Sequence, residues 1–318
     1  MKIIADENMP FVRELFSSMG HIQMRPGREI CAADVADADI LLVRSVTTVD
    51  ESLLSKSQLK FVGTATIGTD HIDKDYLDSI GIPFSNAAGC NADAVVDYVL
   101  ASIFSLAQES QFNPFDKVWG IVGVGNVGGR LADRLAAAGV KVLLNDPPRA
   151  EADVTFQAQA VELDDLLANA DIICCHTPLV KGGDHPTRHL LSAKNLGLLK
   201  QGAVLVNAGR GDVIDNQALL DLTLKRADVC LILDVWEGEP APLEALAKKA
   251  FIATPHIAGY SLDGKARGTF MLYQACCQAL GLSCEYDMAA LLLEPNISEV
   301  ELTASVSQPE LSTLIKLV

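Results

Sequence analysis

Three residues in successive loops of the second half of the chain have side chains suited to acid/base chemistry beside a carboxylate: Arg210, Glu239 and His256. The guanidinium of Arg210 can bind a carboxylate with two parallel hydrogen bonds and polarise the neighbouring oxygen. His256 can take a proton from a hydroxyl group, and Glu239, paired with its other ring nitrogen, would orient it and favour its protonated form. Each residue alone is typical of a structural position. Together they predict an oxidation site for a 2-hydroxy acid.

A glycine motif upstream predicts a dinucleotide site. Residues 118–122 form a buried-strand pattern, Gly123, Gly125 and Gly128 follow with G-x-G-x-x-G spacing, and a helix pattern covers about 126–138. The glycines permit a tight turn, close approach of a pyrophosphate and close helix packing, and the helix N-terminus offers N–H groups to phosphate. Asp146 ends the next strand pattern, 18 residues after Gly128. Its carboxylate would accept hydrogen bonds from a ribose and repel a 2'-phosphate, so NAD is favoured over NADP.

Composition narrows the class of protein. The 318 residues are 49% hydrophobic with a mean hydropathy of +0.25, enough for two domain cores. No apolar run reaches the roughly 20 residues of a membrane span, and the N-terminus lacks the pattern of a secretion signal. The net charge of −16 argues against nucleic acid and anionic membranes as partners. We therefore expect a cytoplasmic enzyme.

The cysteines and histidines do not indicate a metal site. Eight cysteines lie mostly in apolar patterns without C-x-x-C spacing, which predicts reduced thiols in a cytoplasmic protein. His71 stands beside Asp70 and Asp73, but hydride transfer to NAD needs no metal, so a structural hydrogen bond is the preferred interpretation.

Apolar strand patterns alternate with helix patterns along most of the chain, which predicts an α/β protein with parallel sheets. We expect two doubly wound parallel-sheet domains, a Rossmann NAD domain inserted in a flavodoxin-like substrate domain. The predicted boundaries are 1–92 for the first part of the substrate domain, 93–260 for the NAD domain, 261–285 for the return to the substrate domain, and 286–318 for the start of a C-terminal unit. Strand patterns are predicted as follows: 2–5, 40–43, 61–64, 82–85, 118–122, 141–145, 171–175, 203–207 and 229–234.

Over nearly its whole length the sequence resembles the D-isomer-specific 2-hydroxyacid dehydrogenases. The motifs that carry this resemblance are the glycine fingerprint, His176-Thr177-Pro178-Leu179, 207–211, 234–240 and 255–259. Longer stretches resemble one subgroup of the family: 6–10, 43–47, 61–73, 89–91, 256–260 and 264–269. For that subgroup the implied reaction is NAD-dependent oxidation of 4-phospho-D-erythronate to 2-oxo-3-hydroxy-4-phosphobutanoate, in the biosynthesis of pyridoxal 5'-phosphate.

The resemblance also implies roles for individual residues. It makes Arg210, Glu239 and His256 catalytic, with His256 as the proton donor in the reductive direction. The residues implied to contact NAD are Asn126, Val127, Asp146, Thr177, Asp234 and Gly259. Those implied to contact the substrate are Ser45, Thr66 and Tyr260.

The residues themselves agree with that substrate assignment. Arg44 and Ser45 follow one strand pattern and Thr66 follows the next, so both loops should open at a carboxyl edge. A guanidinium, hydroxyls and loop N–H groups suit the phosphate of a small phosphorylated 2-hydroxy acid. We therefore add Arg44 to the predicted substrate residues.

Assembly and exact substrate leave alternatives open. The resemblance implies a C-terminal dimerisation unit, of which 286–318 would be the beginning, with a strand pattern at 299–306 and a helix pattern at 309–317. A homodimer is therefore expected. The alternatives are another 2-hydroxyacid dehydrogenase, acting on 3-phosphoglycerate or on glycerate or hydroxypyruvate, and a non-catalytic NAD-sensing corepressor of the same fold.

Overall fold

The computed structural model describes residues 1–288, 291, 292, 310, 313 and 314. These residues form two compact units. The first comprises Met1–Asn91 and the chain from Tyr260 onward through the described residues to 292, and the second comprises Ala92–Gly259.

The first unit is built on a five-stranded parallel sheet. Its strands are β1 (Lys2–Asp6), β2 (His21–Arg25), β3 (Ile40–Val43), β4 (Phe61–Thr64) and β5 (Phe84–Asn86), in the order β2-β1-β3-β4-β5. This is the flavodoxin-like strand order. Four short helices connect the strands: α1 (Val12–Phe16), α2 (Ala32–Val35), α3 (Glu51–Leu54) and α4 (Lys74–Ser79).

The second unit is built on a six-stranded parallel sheet. Its strands are β6 (Trp119–Val122), β7 (Val142–Asn145), β8 (Ile172–Cys175), β9 (Val204–Asn207), β10 (Cys230–Leu233) and β11 (Ile252–Ala253), in the order β11-β10-β9-β8-β6-β7. Its helices are α5 (Ala92–Ser110), α6 (Asn126–Ala137), α7 (Pro147–Ala152), α8 (Val154–Gln157), α9 (Leu163–Asn169), α10 (Asn216–Lys225) and α11 (Glu244–Ala247). Beyond β7, Ala160 forms a single isolated parallel bridge to Leu144.

The central strands of this sheet are buried, as is typical of a parallel sheet, and the strand order indicates where a ligand site lies. Every residue of β6, β8 and β9 is buried, because helices cover both faces of the sheet. The chain leaves β6 toward β7 on one side and returns to β8 on the other. Ligands bind at such a reversal, outside the carboxyl ends of the strands, because the flanking loops diverge there.

The last long helix, α12 (Leu262–Leu280), completes the core of the first unit. Leu272, Tyr273 and Cys276 are fully buried in one cluster with Phe16 of α1 and Phe61 of β4. The Ser261 hydroxyl caps the helix by accepting from the Gly264 N–H at 3.0 Å, and Gly281 ends it with a φ of 67°. Short 3-10 turns complete the elements: Gly27–Glu29, Pro114–Asp116, Leu196–Leu198 and Gly211–Val213.

The predicted fold class is confirmed, since both sheets are parallel and covered by helices. Two strands were not predicted, the edge strand β2 and the two-residue β11. The strand and helix predicted at 299–306 and 309–317 lie outside the described residues, apart from 310, 313 and 314. In the part of the chain that the structure describes, no helix combines the length and the apolar character needed to cross a bilayer.

Candidate active site

The predicted glycine motif forms the turn between β6 and α6. Gly123 has a φ of 86°, and a Cβ there would lie 2.7 Å from the backbone nitrogen of Thr177. At Gly128 a Cβ would lie only 2.0 Å from the Gly123 carbonyl oxygen, so the helix can approach the turn only because this residue is glycine. Gly125 has no atom within 4 Å of a Cβ position, which leaves open space in front of the first turn of α6.

The surroundings of this turn fit a dinucleotide. Asn126 is exposed and Val127 half-buried at the start of α6, where backbone N–H groups have no partner within the helix. Across the turn, the Thr177 hydroxyl and both ring nitrogens of His176 are buried, and no described group hydrogen-bonds to them. Burial also lowers the pKa of His176 to about 4, so its ring is neutral. Thr177 would hold the cofactor together with Asn126 and the glycine backbone.

Asp146 lies at the carboxyl end of β7, as predicted. Its Oδ2 accepts from the Val124 N–H at 2.8 Å, and its Oδ1 caps α7 by accepting from the Arg149 N–H at 3.1 Å. The Arg149 side chain, which the sequence analysis did not single out, donates to the Val124 carbonyl at 2.7 Å and stacks on the ring of Phe156. A carboxylate and a guanidinium therefore both border the glycine loop.

The predicted acid/base pair is formed in the loops after β10 and β11. His256 Nδ1 lies 2.9 Å from Glu239 Oε2, and Glu239 Oε1 accepts from the Trp236 N–H at 2.8 Å. The carboxylate is therefore held on both oxygens and can orient the imidazole. His256 is half-exposed, so its other ring nitrogen remains available for proton exchange.

The pKa values of the pair move in opposite directions. The hydrogen bond to Glu239 raises the pKa of His256, opposed by burial and by the charge of Arg210, and the charge of Asp234 also raises it. Burial raises the pKa of Glu239, but the hydrogen bonds from His256 and Trp236 and the charges of His256 and Arg210 outweigh it, so the pKa is lowered. Both shifts favour the doubly charged pair.

Arg210 lies in the loop after β9, close enough for its charge to act on both members of the pair. Asn207 fixes this loop by donating to the Arg210 carbonyl at 3.0 Å, and the Arg210 guanidinium donates to the Gly209 carbonyl at 2.9 Å. A Cβ on Gly211 would lie 1.9 Å from the carbonyl carbon of Trp236. The loop that bears Arg210 therefore packs directly against the loop that bears Glu239.

Asp234, predicted to contact NAD, lies at the end of β10 and is buried. Its Oδ1 accepts from the Thr254 hydroxyl at 2.6 Å and the Ile257 N–H at 2.8 Å, and its Oδ2 accepts from the Ala258 N–H at 2.9 Å. Both oxygens of this carboxylate are thus hydrogen-bonded to the loop around His256. Gly259 ends the same loop and is half-buried.

The predicted substrate residues of the first unit lie in loops at one end of its sheet. Arg44 follows β3, with Nη1 3.9 Å from Oδ1 of the buried Asp6, and Ser45 beside it is exposed. Tyr260 is 63% exposed, and Nζ of Lys265 lies 3.1 Å from the centroid of its ring. A hydrogen bond from Lys265, its charge and that of Arg44 lower the pKa of Tyr260. Two cations therefore act on one phenol.

Thr66 belongs to a chain of hydrogen bonds that follows β4. His71 Nε2 lies 2.9 Å from the Thr64 hydroxyl oxygen, which lies 2.8 Å from the Thr66 hydroxyl oxygen. Thr66 in turn donates to the Gly68 carbonyl at 2.8 Å. Burial lowers the pKa of His71, which is therefore neutral. The ring has the structural hydrogen bond that the sequence analysis preferred, and no group of three or more metal-ligating side chains occurs among the described residues.

The structure brings Arg210, Glu239, His256 and Asp234 together in the second unit, and Arg44 and Tyr260 in the first. Sequence reasoning missed Arg149, Lys265 and the pair Tyr98–Thr254, whose hydroxyl oxygens lie 2.6 Å apart. Lys265 had a signal in the sequence, because it stands in the stretch 264–269 that resembles the subgroup, a few residues after Tyr260. Tyr98 had none, because 156 residues separate it from Thr254.

The family model described as D-isomer specific 2-hydroxyacid dehydrogenase, NAD binding domain, matches residues 97–258. An erythronate-4-phosphate dehydrogenase of Chromohalobacter salexigens is 52% identical over 303 residues, covering 95% of this chain and 79% of that protein. One of Escherichia coli is 50% identical over 318 residues, covering 100% of this chain and 84% of that protein.

Solved structures share the fold. A D-lactate dehydrogenase from Aquifex aeolicus, complexed with NAD and lactic acid, superposes with a TM-score of 0.72 at 24% identity over 88% of this chain and 96% of that one. An NAD-bound 3-phosphoglycerate dehydrogenase of Entamoeba histolytica gives a TM-score of 0.74 at 24% identity over 88% of this chain and 95% of that one.

Proposed function

Because the chain belongs to the erythronate-4-phosphate dehydrogenases, within the D-isomer-specific 2-hydroxyacid dehydrogenases, we propose that it oxidises 4-phospho-D-erythronate to 2-oxo-3-hydroxy-4-phosphobutanoate. It is an oxidoreductase, and its cofactor is NAD. The relatives named for this reaction match along at least 95% of the chain. As in the sequence analysis, the reaction is assigned to the biosynthesis of pyridoxal 5'-phosphate.

The observation that carries the chemistry is the hydrogen bond between His256 Nδ1 and Glu239 Oε2. Because a carboxylate only accepts hydrogen bonds, this contact holds the proton of the neutral imidazole on Nδ1. Nε2 is then the nitrogen with a lone pair. It takes the proton of the substrate 2-hydroxyl group, and in the reverse direction the imidazolium returns that proton.

Arg210 supplies the positive charge beside this base. Its guanidinium binds the substrate carboxylate, and its charge stabilises the oxygen on C2 as the hydroxyl group loses its proton. Bound NAD supplies the hydride acceptor. The raised pKa of His256 suits a residue that must gain and lose a proton near neutral pH.

We assign the 4-phosphate to the cations of the first unit. Arg44 and Lys265 both act on Tyr260, and the exposed hydroxyl group of Ser45 adjoins Arg44. A phosphate carries nearly two negative charges at neutral pH, so two cations and nearby hydroxyl donors match it better than an uncharged terminus. With a net charge of −16, the chain must bind this anion through such short contacts.

The alternatives are not better supported. The 3-phosphoglycerate dehydrogenase likeness, at 24% identity, shows the fold alone. A corepressor would need NAD binding without turnover, whereas Arg210, Glu239 and His256 are brought together here as a working acid/base site would need.

The test is NAD-linked turnover of purified protein on four substrates: 4-phosphoerythronate, erythronate, 3-phosphoglycerate and glycerate. We expect kcat/KM to be highest for 4-phosphoerythronate. For erythronate kcat/KM should be lower by about one to two decades, because the loss of one or two charge-assisted contacts has about this effect. A preference for 3-phosphoglycerate would replace the proposed substrate. Tight NAD binding without turnover of any of the four would support the corepressor alternative.

The assembly and location belong to the same proposal. We propose a cytoplasmic homodimer, consistent with the dimerisation unit implied by the resemblance and with the eight free cysteines of the described residues. Light scattering coupled to size-exclusion chromatography decides the assembly. A mass near 33.9 kDa would mean that this chain is monomeric.

A further inference from the structure

The loop that carries His256 is organised around a single buried carboxylate. Three successive N–H groups of this loop donate to Asp234: that of His256 to its carbonyl oxygen at 2.7 Å, and those of Ile257 and Ala258 to its side chain at 2.8 and 2.9 Å. Any change in the position of Asp234 therefore moves the backbone of His256.

This loop needs such support because His256 is in the left-handed backbone region, with a φ of 59°. Residues with a Cβ rarely adopt this conformation, and it persists only where surrounding contacts enforce it. Here the conformation directs the imidazole to Glu239. A loop that relaxed toward ordinary backbone angles would lengthen the distance between His256 Nδ1 and Glu239 Oε2.

A second pair of hydroxyl groups extends the support to α5. Thr254 lies 2.6 Å from Asp234 Oδ1 and 2.6 Å from the Tyr98 hydroxyl oxygen. Since an ionised carboxylate has no proton, Thr254 must donate its only hydroxyl proton to Asp234, and Tyr98 must then donate to Thr254. The Thr254 carbonyl also accepts from the Trp236 indole at 2.9 Å. The contacts thus run in one direction, from Tyr98 through Thr254 to Asp234.

We propose that Tyr98 is a positioning residue of the active site, whose hydroxyl group acts through Thr254 and Asp234 to hold the backbone of His256 in the conformation that pairs its imidazole with Glu239. This inference rests on the proposed acid/base role of His256 and deepens it. Tyr98 is half-buried against the core of the second unit, which gives its hydroxyl group a fixed origin.

Loss of this support should be measurable as a change in the pKa of His256. The charged groups that act on His256 are Glu239 after β10, Asp234 at the end of β10 and Arg210 after β9, and Glu239 raises the pKa most. Weaker pairing removes part of this increase and leaves the opposing effects of burial and Arg210. The pKa of His256 then falls toward or below its ordinary value.

The test compares Tyr98→Phe with the wild type by two readouts. An NMR titration of the His256 ring, assigned with a His256→Gln variant, should show a pKa lowered by about 0.5 unit, corresponding to part of one hydrogen bond. In the oxidation of 4-phosphoerythronate we expect kcat to fall about 3- to 10-fold with KM nearly unchanged, and the acidic limb of the pH profile to move by the same amount. The NMR titration needs no turnover, so a wrong substrate and a wrong role for Tyr98 give different results.

Two sets of variants separate positioning from general destabilisation. Tyr273→Phe removes a hydroxyl group that accepts from the Glu285 N–H at 2.8 Å in the first unit, and it should leave the His256 titration unchanged. Thr254→Ser keeps the hydroxyl group and should retain the wild-type pKa. Thr254→Val should lower the pKa, and adding Tyr98→Phe to it should change little more. An unchanged pKa in Tyr98→Phe, or an equal shift in Tyr273→Phe, would overturn the proposal.

Discussion

The imidazole of His256 and the carboxylate of Glu239 are joined through Nδ1 and Oε2 at 2.9 Å, with opposite effects on their pKa values. The raised pKa of His256 stabilises the fold below its unfolded-state pKa, and this contribution is lost as the pH rises through the folded-state value. The lowered pKa of Glu239 stabilises the fold above its unfolded-state pKa, and this contribution is lost as the pH falls through its folded-state value. Both side chains are partly exposed, so solvent keeps the net contribution small.

The same pair should set the pH dependence of turnover. Oxidation requires neutral His256, so kcat/KM should rise as the pH increases through the raised pKa, whereas the reductive direction should show the opposite trend. Glu239→Gln should move this limb to lower pH, because it removes the charge that favours the imidazolium. Glu151→Gln is the matched control, since Glu151 pairs with His185 at 2.9 Å on the surface of the same unit. An identical pH profile for Glu239→Gln and the wild type would exclude this role for the pair.

Removal of the base itself should be more severe. His256→Gln should lower kcat by about 10² to 10⁴, the typical contribution of a positioned acid/base residue. NAD affinity, measured by fluorescence titration, should change little. Turnover close to wild type in this variant would contradict the mechanism.

The carboxylate of Asp146 should determine the choice of cofactor. Asp146→Asn keeps one oxygen, which can accept from only one of the Val124 and Arg149 N–H groups, and it removes the charge that repels a 2'-phosphate. We expect the preference for NAD over NADP to narrow about tenfold or more, corresponding to one charge-assisted contact. Asp153→Asn is the control, since Asp153 also caps a helix, α8, but accepts only from N–H groups of that helix. Equal affinity of the wild-type protein for NAD and NADP would show that Asp146 does not discriminate.

The cations of the first unit should distinguish phosphorylated from unphosphorylated substrate. Arg44→Gln and Lys265→Gln should each lower kcat/KM for 4-phosphoerythronate by about 10- to 100-fold, because each removes a charge-assisted contact. Activity on erythronate should fall much less. Lys60→Gln is the control, because Lys60 pairs with Asp39 at 2.8 Å at the amino ends of β3 and β4, whereas Arg44 follows the carboxyl end of β3. Equal losses on both substrates would mean that these residues do not bind the phosphate.

The close contact between Gly211 and Trp236 should be intolerant of even one methyl group. In Gly211→Ala the new Cβ would meet the Trp236 carbonyl carbon at 1.9 Å, so the loops bearing Arg210 and Glu239 must separate. We expect kcat to fall by about 10²-fold or more, as for other displacements of about 1 Å in a catalytic site. Gly197→Ala, with no atom within 4 Å of its Cβ position, should retain activity and melting temperature.

The sequence predicted the interior of both sheets because their central strands are short, continuous apolar runs. β3 and β4 were predicted at the bounds observed. The edge strand β2, His21-Ile22-Gln23-Met24-Arg25, alternates polar and apolar residues and pairs only with β1, and β11 has two residues. The alternation in β2 is typical of a half-buried strand, but the prediction relied on continuous apolar runs and did not use it, whereas the two residues of β11 are too few to show any periodicity.

The candidate site shows the same division. Arg210 and Glu239 could be predicted because each follows a strand pattern in a short motif. His256 could be predicted from the motif 255–259 alone, because the strand before it, β11, was not predicted. The contact between Tyr98 and Thr254 could not, because it depends on how α5 packs beside β11, and no periodicity within either segment records that packing. The residues proposed for the acid/base chemistry are thus visible in motifs, whereas those proposed to support them require the fold.

The hydrogen bonds around Thr66 have a polarity that limits what this residue can offer a ligand. Thr66 gives its only hydroxyl proton to the Gly68 carbonyl, so Thr64 donates to Thr66 and the neutral His71 donates to Thr64. What Thr66 retains is an oxygen lone pair. It can therefore accept a hydrogen bond from a ligand hydroxyl group but cannot donate one to a phosphate dianion. The Thr66 side chain would thus suit an alcohol group of the proposed substrate, whereas a phosphate would need donors other than this hydroxyl group.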